Sequence, residues 1–176
     1  SFDRNQLFYK SLKESFQGFM NLDSRCAMFL SLYLDDMLKS GFKGFTEEAI
    51  DGTLDKVIML FRYLDDKDIF QNYYKHHLSK RLLSGRSLSA DAEKSMIAKL
   101  KVECGSQYTS KLEGMFRDLH SSKDIMTTFF RETPAARGPG AVALSCYILT
   151  QGHWPTPTYT PCQLPPTVAA AARAFS

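Results

Sequence analysis

Two pairs of adjacent aspartates and one pair of adjacent histidines are the residues to examine first for catalysis or metal binding: Asp35-Asp36, Asp65-Asp66 and His76-His77. Each pair lies in an amphipathic stretch, and consecutive residues of a helix point about 100° apart. The two imidazoles therefore cannot hold one metal ion as an i, i+4 pair could. For the same reason neither acidic pair can share a proton, and we expect these acids to be exposed charges or helix caps.

The remaining motifs offer no catalytic chemistry. His77 falls on the apolar side of its helical stretch, which favours a hydrogen-bonded core histidine, whereas His76 is expected to face water. The sequence contains no nucleophile elbow, P-loop or GxGxxG motif. Its four cysteines have no CxxC spacing, which argues against a zinc site or a disulfide framework and favours a reducing compartment. We therefore predict no catalytic residue, no metal, no cofactor and no small-molecule substrate.

A basic run without any acid fills the interval between residues 68 and 91, and its charged members are Lys75, Lys80, Arg81 and Arg86. One interpretation is a basic helical module that binds the phosphates of nucleic acid. A second is a solvated or ion-paired helix face, since charge is common on helix surfaces and the neighbouring Tyr and Leu residues are spaced for packing. The second interpretation includes pairing of Lys80 and Arg81 with acids such as Asp36 or Glu113.

The elements that must position these residues are helices, because apolar residues recur at helical spacing through most of the chain. The central stretch Asp65–Asp118 predicts three helices with short joints, and apolar faces as wide as these must pack together in a bundle. Thr46 and Ser89 are predicted N-caps, and Gly85 is predicted to end the first central helix. A short further helix is predicted to begin near residue 121.

The composition changes at Thr133. All 19 acidic residues and all but two of the 22 Lys and Arg residues precede it, whereas all seven prolines follow it. The run AVALSCYILT is uncharged and rich in Val, Ile, Leu and Tyr, which predicts a strand. A last helix is predicted to start near Pro166 or Thr167. No stretch approaches the ~20 apolar residues of a membrane-spanning helix.

Three long sequence words in the central stretch resemble the signature region of the cullins: DKDIFQNYYKHHLSKRLL, DAEKSMIAKLKVECG and YTSKLEGMFRD. The resemblance extends upstream through FLSLYLDDMLKSG and DGTLDKVIMLFRYL and downstream through YILTQGHWP. It spans nearly the whole chain and is closest to the cullin-3 branch. Cullins are elongated scaffolds of multisubunit cullin-RING ubiquitin ligases. The chain begins without Met inside an amphipathic pattern, so we expect it to be a fragment of such a protein.

The resemblance implies a mainly α fold, with stalk-end helices joined to a four-helix-type bundle and then the first strand of a truncated α/β domain. Residues 1–41 would form the end of the helical stalk, residues 42–133 the bundle and residues 134–176 the start of the α/β domain. The implied function is a rigid, non-catalytic scaffold subunit in ubiquitin-dependent protein degradation. It would link the substrate-receptor arm to the RING and ubiquitin-conjugating-enzyme module. The implied location is the cytoplasm and nucleus, with no membrane partner.

The implied partners are a RING-box subunit, a ubiquitin-conjugating enzyme acting indirectly, and a substrate-receptor adaptor bound through an N-terminal region absent from this stretch. In the family the RING-box subunit adds a β-strand to the cullin sheet. That assigns strand pairing here to Val142, Leu144, Cys146, Ile148 and Trp154. The alternative is a core strand paired only within its own chain. Lys39 and Lys43 match basic residues thought to attract the acidic tail of the conjugating enzyme. The alternative, which the residues themselves favour, is a charged helix end stabilised by the helix dipole.

Overall fold

The computed structural model describes residues 6–133, 143–155 and 162–175, and the regular structure in these ranges is helical. The helices are α1 (Gln6–Met20), α2 (Cys26–Asp36), α3 (Glu47–Phe61), α4 (Lys67–Ser84), α5 (Ala90–Cys104), α6 (Ser106–Glu132) and α7 (Pro166–Phe175). A π-helical turn, Met37–Gly41, continues α2. The prediction of a mainly α fold is confirmed, and α7 begins at the predicted Pro166.

Two compact units make up the chain, Ser1–Ser110 and Lys111–Ser176, and the division between them lies within α6. In the first unit α2 packs along α4, α3 packs against α5, and α2 also meets α3. The domain limits expected near residues 41 and 133 stay predictions.

The core of the first unit is aromatic at its centre. Phe61 of α3 and Phe70 and Tyr74 of α4 are fully buried. The rings of Phe61 and Phe70 meet edge to face with centroids 5.0 Å apart, and Phe70 stacks on Tyr74 at 5.8 Å. Burial of apolar surface is the dominant favourable contribution to folding, and aromatic pairs add a geometric preference. Buried aliphatic side chains of α2, the π-helical turn and α5 complete the core: Leu34, Leu38, Met96 and Leu100.

The predicted helix ends are confirmed where the chain supplies a capping side chain or a glycine. Thr46 Oγ1 accepts a hydrogen bond from the N–H of Ala49 at 3.3 Å, and Ser89 Oγ accepts one from the N–H of Ala92 at 3.1 Å. Each bond satisfies one of the N–H groups that the first turn of a helix leaves without an intrahelical partner. Gly85 ends α4 with φ of 64°, a left-handed conformation that glycine adopts without strain.

Replacing Ser89 by Ala is expected to lower the free energy of unfolding by about 0.5–2 kcal/mol, because the Ala92 N–H loses its capping acceptor. Urea titration followed by circular dichroism measures the change. Ser121→Ala is the matched control, since Ser121 is an exposed position in the middle of α6. That control is expected to change the stability by no more than ~0.5 kcal/mol. Equal stability of the two variants would contradict a capping role for Ser89.

α6 is longer than the sequence predicts. The expected break near residue 121 does not occur, and the helix runs without interruption from Ser106 to Glu132. Ser122 was a possible start of a new helix because serine is a common cap. In the structure its Oγ instead donates to the carbonyl oxygen of Asp118 one turn earlier, at 2.7 Å. The hydroxyl is used inside a continuous helix, which local sequence cannot distinguish from a cap.

The prediction of a strand over AVALSCYILT is corrected for residues 143–150, which carry no regular secondary structure. A strand requires a second strand to receive its N–H groups. Here the N–H of Ile148 donates to Ser122 Oγ at 2.8 Å and the N–H of Thr150 donates to Asp118 Oδ2 at 2.8 Å. Side chains of α6 therefore take donors that a sheet ladder would use. Val142 of the predicted strand lies outside the described residues.

Candidate functional site

A fully buried arginine lies where three helices of the first unit meet. Arg81 of α4 donates from Nε to Glu93 Oε1 at 2.6 Å and from Nη2 to Glu93 Oε2 at 2.9 Å, a two-pronged contact with α5. Its Nη1 donates to Asp35 Oδ1 of α2 at 2.5 Å. The guanidinium and both carboxylates are buried, so each charged group is stabilised by its oppositely charged partners in place of water. We call Arg81, Asp35 and Glu93 the arginine cluster.

Asp35 has further cationic neighbours at the margin of the arginine cluster. Lys39 Nζ lies 2.5 Å from Asp35 Oδ2, and His77 Nδ1 lies 3.5 Å from the same oxygen. Burial acts to raise the pKa of Asp35, but hydrogen bonds from Lys39 and Arg81 lower this pKa more, so it ends below its ordinary value. Asp35 is therefore ionised at neutral pH.

Other side chains hold Arg81 and Glu93 in place. The ring of Tyr74 lies 5.6 Å from the guanidinium carbon of Arg81, and Ser87 Oγ donates to Glu93 Oε1 at 2.9 Å. Burial acts to lower the pKa of Arg81, but the bonds to Glu93 and Asp35 raise this pKa above its ordinary value. The polar groups of the cluster point at one another. That arrangement suits the bracing of helices rather than proton transfer to a bound molecule.

His77 lies beside the cluster with 15% of its side chain exposed. Burial lowers the pKa of His77 more than the neighbouring carboxylate of Asp35 raises it, so the imidazole is neutral at pH 7. Its Nε2 is buried and has no hydrogen-bond partner in the part of the chain that the structure describes. His77 lies on the inner side of α4 and is half-buried, but the hydrogen bond expected of its ring is not observed among the described residues.

The sequence prediction for Asp35 was wrong, and the prediction for Arg81 was wrong in its exposure and in its partners. Asp35 was expected to be an exposed charge or a cap, yet it is buried. Arg81 was expected on a basic, solvated or ion-paired helix face; it is ion-paired, but it is buried and its partners are Asp35 and Glu93 instead of Asp36 or Glu113. The available signal was spacing, because Tyr74, Leu78 and Arg81 follow one another at i, i+4 and i+7 on the buried face of α4. An arginine on such a stripe requires acidic partners, and only the fold brings Asp35 and Glu93 to it.

In the second unit Asp118 of α6 binds the end of the predicted strand and the turn that follows it. Asp118 Oδ2 accepts hydrogen bonds from Trp154 Nε1 at 2.7 Å and from the N–H of Thr150 at 2.8 Å, and Oδ1 accepts one from Thr150 Oγ1 at 2.8 Å. Burial acts to raise the pKa of Asp118, but these bonds lower the pKa more, so it lies below its ordinary value. Trp154 is buried as a result. No feature of the local sequence around Asp118 indicates this role.

The residues predicted to pair with a partner strand have different surroundings in the structure. Leu144 and Cys146 are half-buried, Ile148 is exposed over 40% of its surface, and Trp154 is buried. Val142 lies outside the described residues. Ile148 and Trp154 are brought to α6 through Ser122 and Asp118, as described above. The pairing role itself stays a prediction.

The two lysines predicted to contact an acidic tail also differ. Lys39 lies in the π-helical turn and is engaged with Asp35. Lys43 follows that turn and is exposed, and it makes no ion pair within the described ranges. Their role toward a partner stays a prediction, and Lys43 is the side chain with more freedom to serve it.

An open acidic cleft lies between the N-terminal parts of α3 and α5, and its carboxylates belong to Glu47, Glu48, Asp51, Asp55 and Asp91. Lys99 spans part of the cleft, with Nζ 3.1 Å from Asp51 Oδ2 and 2.5 Å from Asp55 Oδ1. Among the residues that the structure describes, no group of three or more His, Cys, Asp and Glu side chains is arranged to hold a metal ion. In the same ranges, no helix combines the length and apolar character needed to cross a bilayer.

Comparison with known proteins identifies the family to which these features belong. Residues 1–126 match the family model described as the cullin alpha solenoid domain. Over 99% of its length the chain is 48% identical to Cullin-3A of Arabidopsis thaliana, of which it covers 24%. Over 96% of its length it is 46% identical to Cullin-3 of Dictyostelium discoideum, covering 22% of that protein. It is 45% identical to Cullin-4A of Mus musculus over 99% of its length, covering 23% of that protein.

The chain thus spans about a quarter of the length of the curated relatives it matches. A match over residues 1–126 includes α1 to α5 and most of α6, and with them the whole arginine cluster. Because the match takes in well over half of the residues, the chain belongs to the cullin family.

Proposed function

We propose that this chain is part of a rigid, non-catalytic scaffold subunit of a cullin-RING ubiquitin ligase, acting in ubiquitin-dependent protein degradation. The scaffold links a substrate-receptor arm to the module that carries the RING subunit and the ubiquitin-conjugating enzyme. The observation that carries the proposal is the match to the cullin alpha solenoid domain over residues 1–126. We further propose that it acts in the cytoplasm and nucleus.

Stiffness is the physical property that this function requires. Ubiquitin transfer in such an assembly depends on the effective concentration and the orientation of two bound partners, which a rigid spacer sets. The buried arginine cluster supports this proposal, because one guanidinium is bonded to carboxylates on two other helices. Relative movement of α2, α4 or α5 would separate buried charges, which is costly.

Three kinds of partner follow from the proposal. A RING-box subunit adds a β-strand along the segment that contains Leu144, Cys146 and Ile148, with Val142 and Trp154 at its ends. A conjugating enzyme is held indirectly and contacts Lys43, and less directly Lys39, through its acidic tail. A substrate-receptor adaptor binds a part of the cullin that precedes the stretch described here.

Co-purification with a RING-box protein tests the proposed function. A chain extended beyond Ser176, to include the rest of the α/β domain, is expected to form a stoichiometric complex that survives size-exclusion chromatography. Replacing Tyr147 by Pro is expected to weaken the complex, because proline removes a backbone donor that strand addition needs. A folded, extended chain that fails to retain a RING-box protein would contradict the proposal.

Nucleic-acid binding through Lys75, Lys80, Arg81 and Arg86 is the second candidate. Lys80 and Arg86 are exposed, which such binding requires. Arg81 is buried and fully committed to carboxylates, so it is removed from that surface. Binding that weakens steeply with added salt, and is lost in a Lys80→Ala, Arg86→Ala double variant, would favour this candidate. The scaffold proposal expects no such binding at physiological ionic strength.

A further inference from the structure

Three residues of α6, spaced four apart on one side of the helix, contact residues 147–154, the segment that contains the end of the predicted strand and the turn after it: Gly114, Asp118 and Ser122. Residues at i, i+4 and i+8 form a continuous row on a helix surface. We call these three residues the α6 anchor. They belong to the same compact unit as the segment they contact.

The polar members of the α6 anchor fix two backbone positions of the segment. Ser122 Oγ accepts from the N–H of Ile148 at 2.8 Å, and Asp118 Oδ2 accepts from the N–H of Thr150 at 2.8 Å. Asp118 also accepts from Thr150 Oγ1 at 2.8 Å and from Trp154 Nε1 at 2.7 Å. Several hydrogen bonds to one carboxylate and one hydroxyl define the position of the segment along α6.

Gly114 provides room for the turn at the end of the segment. A Cβ built on Gly114 would lie 2.5 Å from Cε1 and Nδ1 of the His153 ring, far inside van der Waals contact. The imidazole therefore rests directly on the backbone of α6, and no residue larger than glycine fits beneath it. This approach seats Trp154, the next residue, against Asp118.

The hydrogen bonds show which edge of the segment faces α6. The α6 anchor accepts hydrogen bonds from the N–H groups of Ile148 and Thr150 but none from that of Leu149 between them. The side chains of residues 143–147 are alternately exposed and half-buried. Both features have the period of two that an extended chain shows. The N–H and C=O groups of Tyr147 and Leu149 then point away from α6. Neither residue makes a hydrogen bond within the part of the chain that the structure describes.

We propose that the α6 anchor sets the register of this segment and presents its Tyr147 and Leu149 edge to one incoming extended strand. This inference rests on the proposed function, under which the strand belongs to the RING-box subunit. Gly114, Asp118 and Ser122 are positioning residues, since they touch the segment and not the partner. The free backbone groups at alternate residues are what strand addition requires.

Trp154 makes the anchor directly measurable because it is the sole tryptophan of the chain. Gly114→Ala is expected to shift Trp154 emission to longer wavelength, to increase its quenching by acrylamide, and to leave the helical circular dichroism signal unchanged. Gly52→Ala is the matched control, since Gly52 lies in α3 and a Cβ added to it would have no neighbouring atom within 4 Å. That control is expected to leave Trp154 emission unchanged.

A second variant addresses the carboxylate without steric conflict. Asp118→Asn removes the negative charge, so the amide oxygen that can still accept from Trp154 Nε1–H and the N–H of Thr150 is a weaker acceptor, and a partial exposure of Trp154 in the same direction is expected. Asp124→Asn is its control, because Asp124 is on the same helix and has 71% of its side chain exposed. Unchanged Trp154 emission in both Gly114→Ala and Asp118→Asn would overturn the inference.

Amide hydrogen exchange, measured on the full chain, tests whether the backbone N–H groups of Tyr147 and Leu149 are free until a partner strand binds. The amides of Ile148 and Thr150 are expected to be protected in the free protein, and those of Tyr147 and Leu149 to exchange fast. Added RING-box subunit is expected to protect Tyr147 and Leu149. The Gly114→Ala variant is expected to bind the RING-box subunit at least about tenfold more weakly. Its segment is no longer held against α6, so binding must supply the free energy that orders the segment. Gly52→Ala is expected to bind normally.

The outcomes separate the inference from the proposed function. Exposure of Trp154 with unchanged affinity for the RING-box subunit overturns the inference and leaves the proposed function standing. The inference is also overturned if added RING-box subunit increases the protection of the Ile148 and Thr150 amides and leaves those of Tyr147 and Leu149 unprotected. If the free chain shows the expected amide pattern but does not bind the RING-box subunit, the proposed function fails while the register set by the anchor is supported.

Discussion

Replacement of Arg81 by Ala is expected to lower the free energy of unfolding by about 3–5 kcal/mol, the range found when one member of a buried ion pair is removed. The loss has two parts. The carboxylates of Asp35 and Glu93 remain buried without their shared cation, and the large side chain leaves a cavity in the core. Urea titration, followed by circular dichroism, measures the change in stability.

Two variants serve as controls for Arg81→Ala. Lys80→Ala removes the neighbouring charge at an exposed position and is expected to change stability by no more than ~0.5 kcal/mol. Arg81→Lys keeps the charge but loses the fork that contacts both oxygens of Glu93, so an intermediate loss is expected. Equal stability of Arg81→Ala and Lys80→Ala would show that the cluster does not brace the helices.

The pH dependence of the Arg81→Ala effect distinguishes charge from volume. In the unaltered chain the pKa of Asp35 is below its ordinary value of 3.8, so its contribution to stability is full above that pH and is lost as pH falls through the lowered pKa. Without Arg81, Asp35 loses one of the hydrogen bonds that lower its pKa, so this pKa rises. The gap in stability between the two proteins is therefore expected to narrow on acidification below about pH 5. A gap that is independent of pH would indicate lost packing alone.

The structural features that depend on nearby residues were predictable from the sequence. Thr46 and Ser89 accept hydrogen bonds from N–H groups three residues away. Gly85 adopts a left-handed φ that would strain a residue with a side chain. Each of these effects involves one turn of chain, so residue type and spacing suffice to indicate it. The mainly α fold followed from the same kind of local pattern, because helical periodicity repeats within a few residues.

Features that depend on distant residues were not predictable in the same way. Arg81 and Asp35 are separated by 46 positions in sequence, and nothing in either neighbourhood specifies the other. A charged residue on an amphipathic helix is normally at the surface, so the exposed interpretation was the reasonable one. Asp118 and Trp154 present the same difficulty across 36 positions.

For the segment from Ala143 to Thr150, the sequence pattern correctly indicated an extended backbone, but the prediction that this backbone forms a β-strand was wrong. Alternation along the chain does predict an extended backbone, and both the exposure pattern and the bonds at Ile148 and Thr150 agree with it. A strand, however, is defined by a neighbour with which it pairs. Because pairing depends on a second strand, no property of the segment alone could decide the assignment.

The second large effect is expected from Phe70→Ala, which should lower the free energy of unfolding by about 3–5 kcal/mol. Phe70 is fully buried and contacts the rings of both Phe61 and Tyr74. Truncation removes both aromatic contacts and leaves a cavity that the helices can fill only in part. Urea titration measures the loss. Ile69→Ala is the control, because the side chain of this neighbouring residue is 37% exposed and its removal should cost much less.

The same variant tests whether rigidity is the function. At a temperature where Phe70→Ala remains folded, an assembled ligase that contains it is expected to retain its RING-box subunit and yet to transfer ubiquitin more slowly. The reason is that a loosened bundle no longer holds the two bound partners at a fixed separation. The Ile69→Ala ligase is expected to work at the normal rate. Normal ubiquitin transfer by a measurably loosened Phe70→Ala ligase would separate activity from stiffness, and the scaffold would then act by tethering alone.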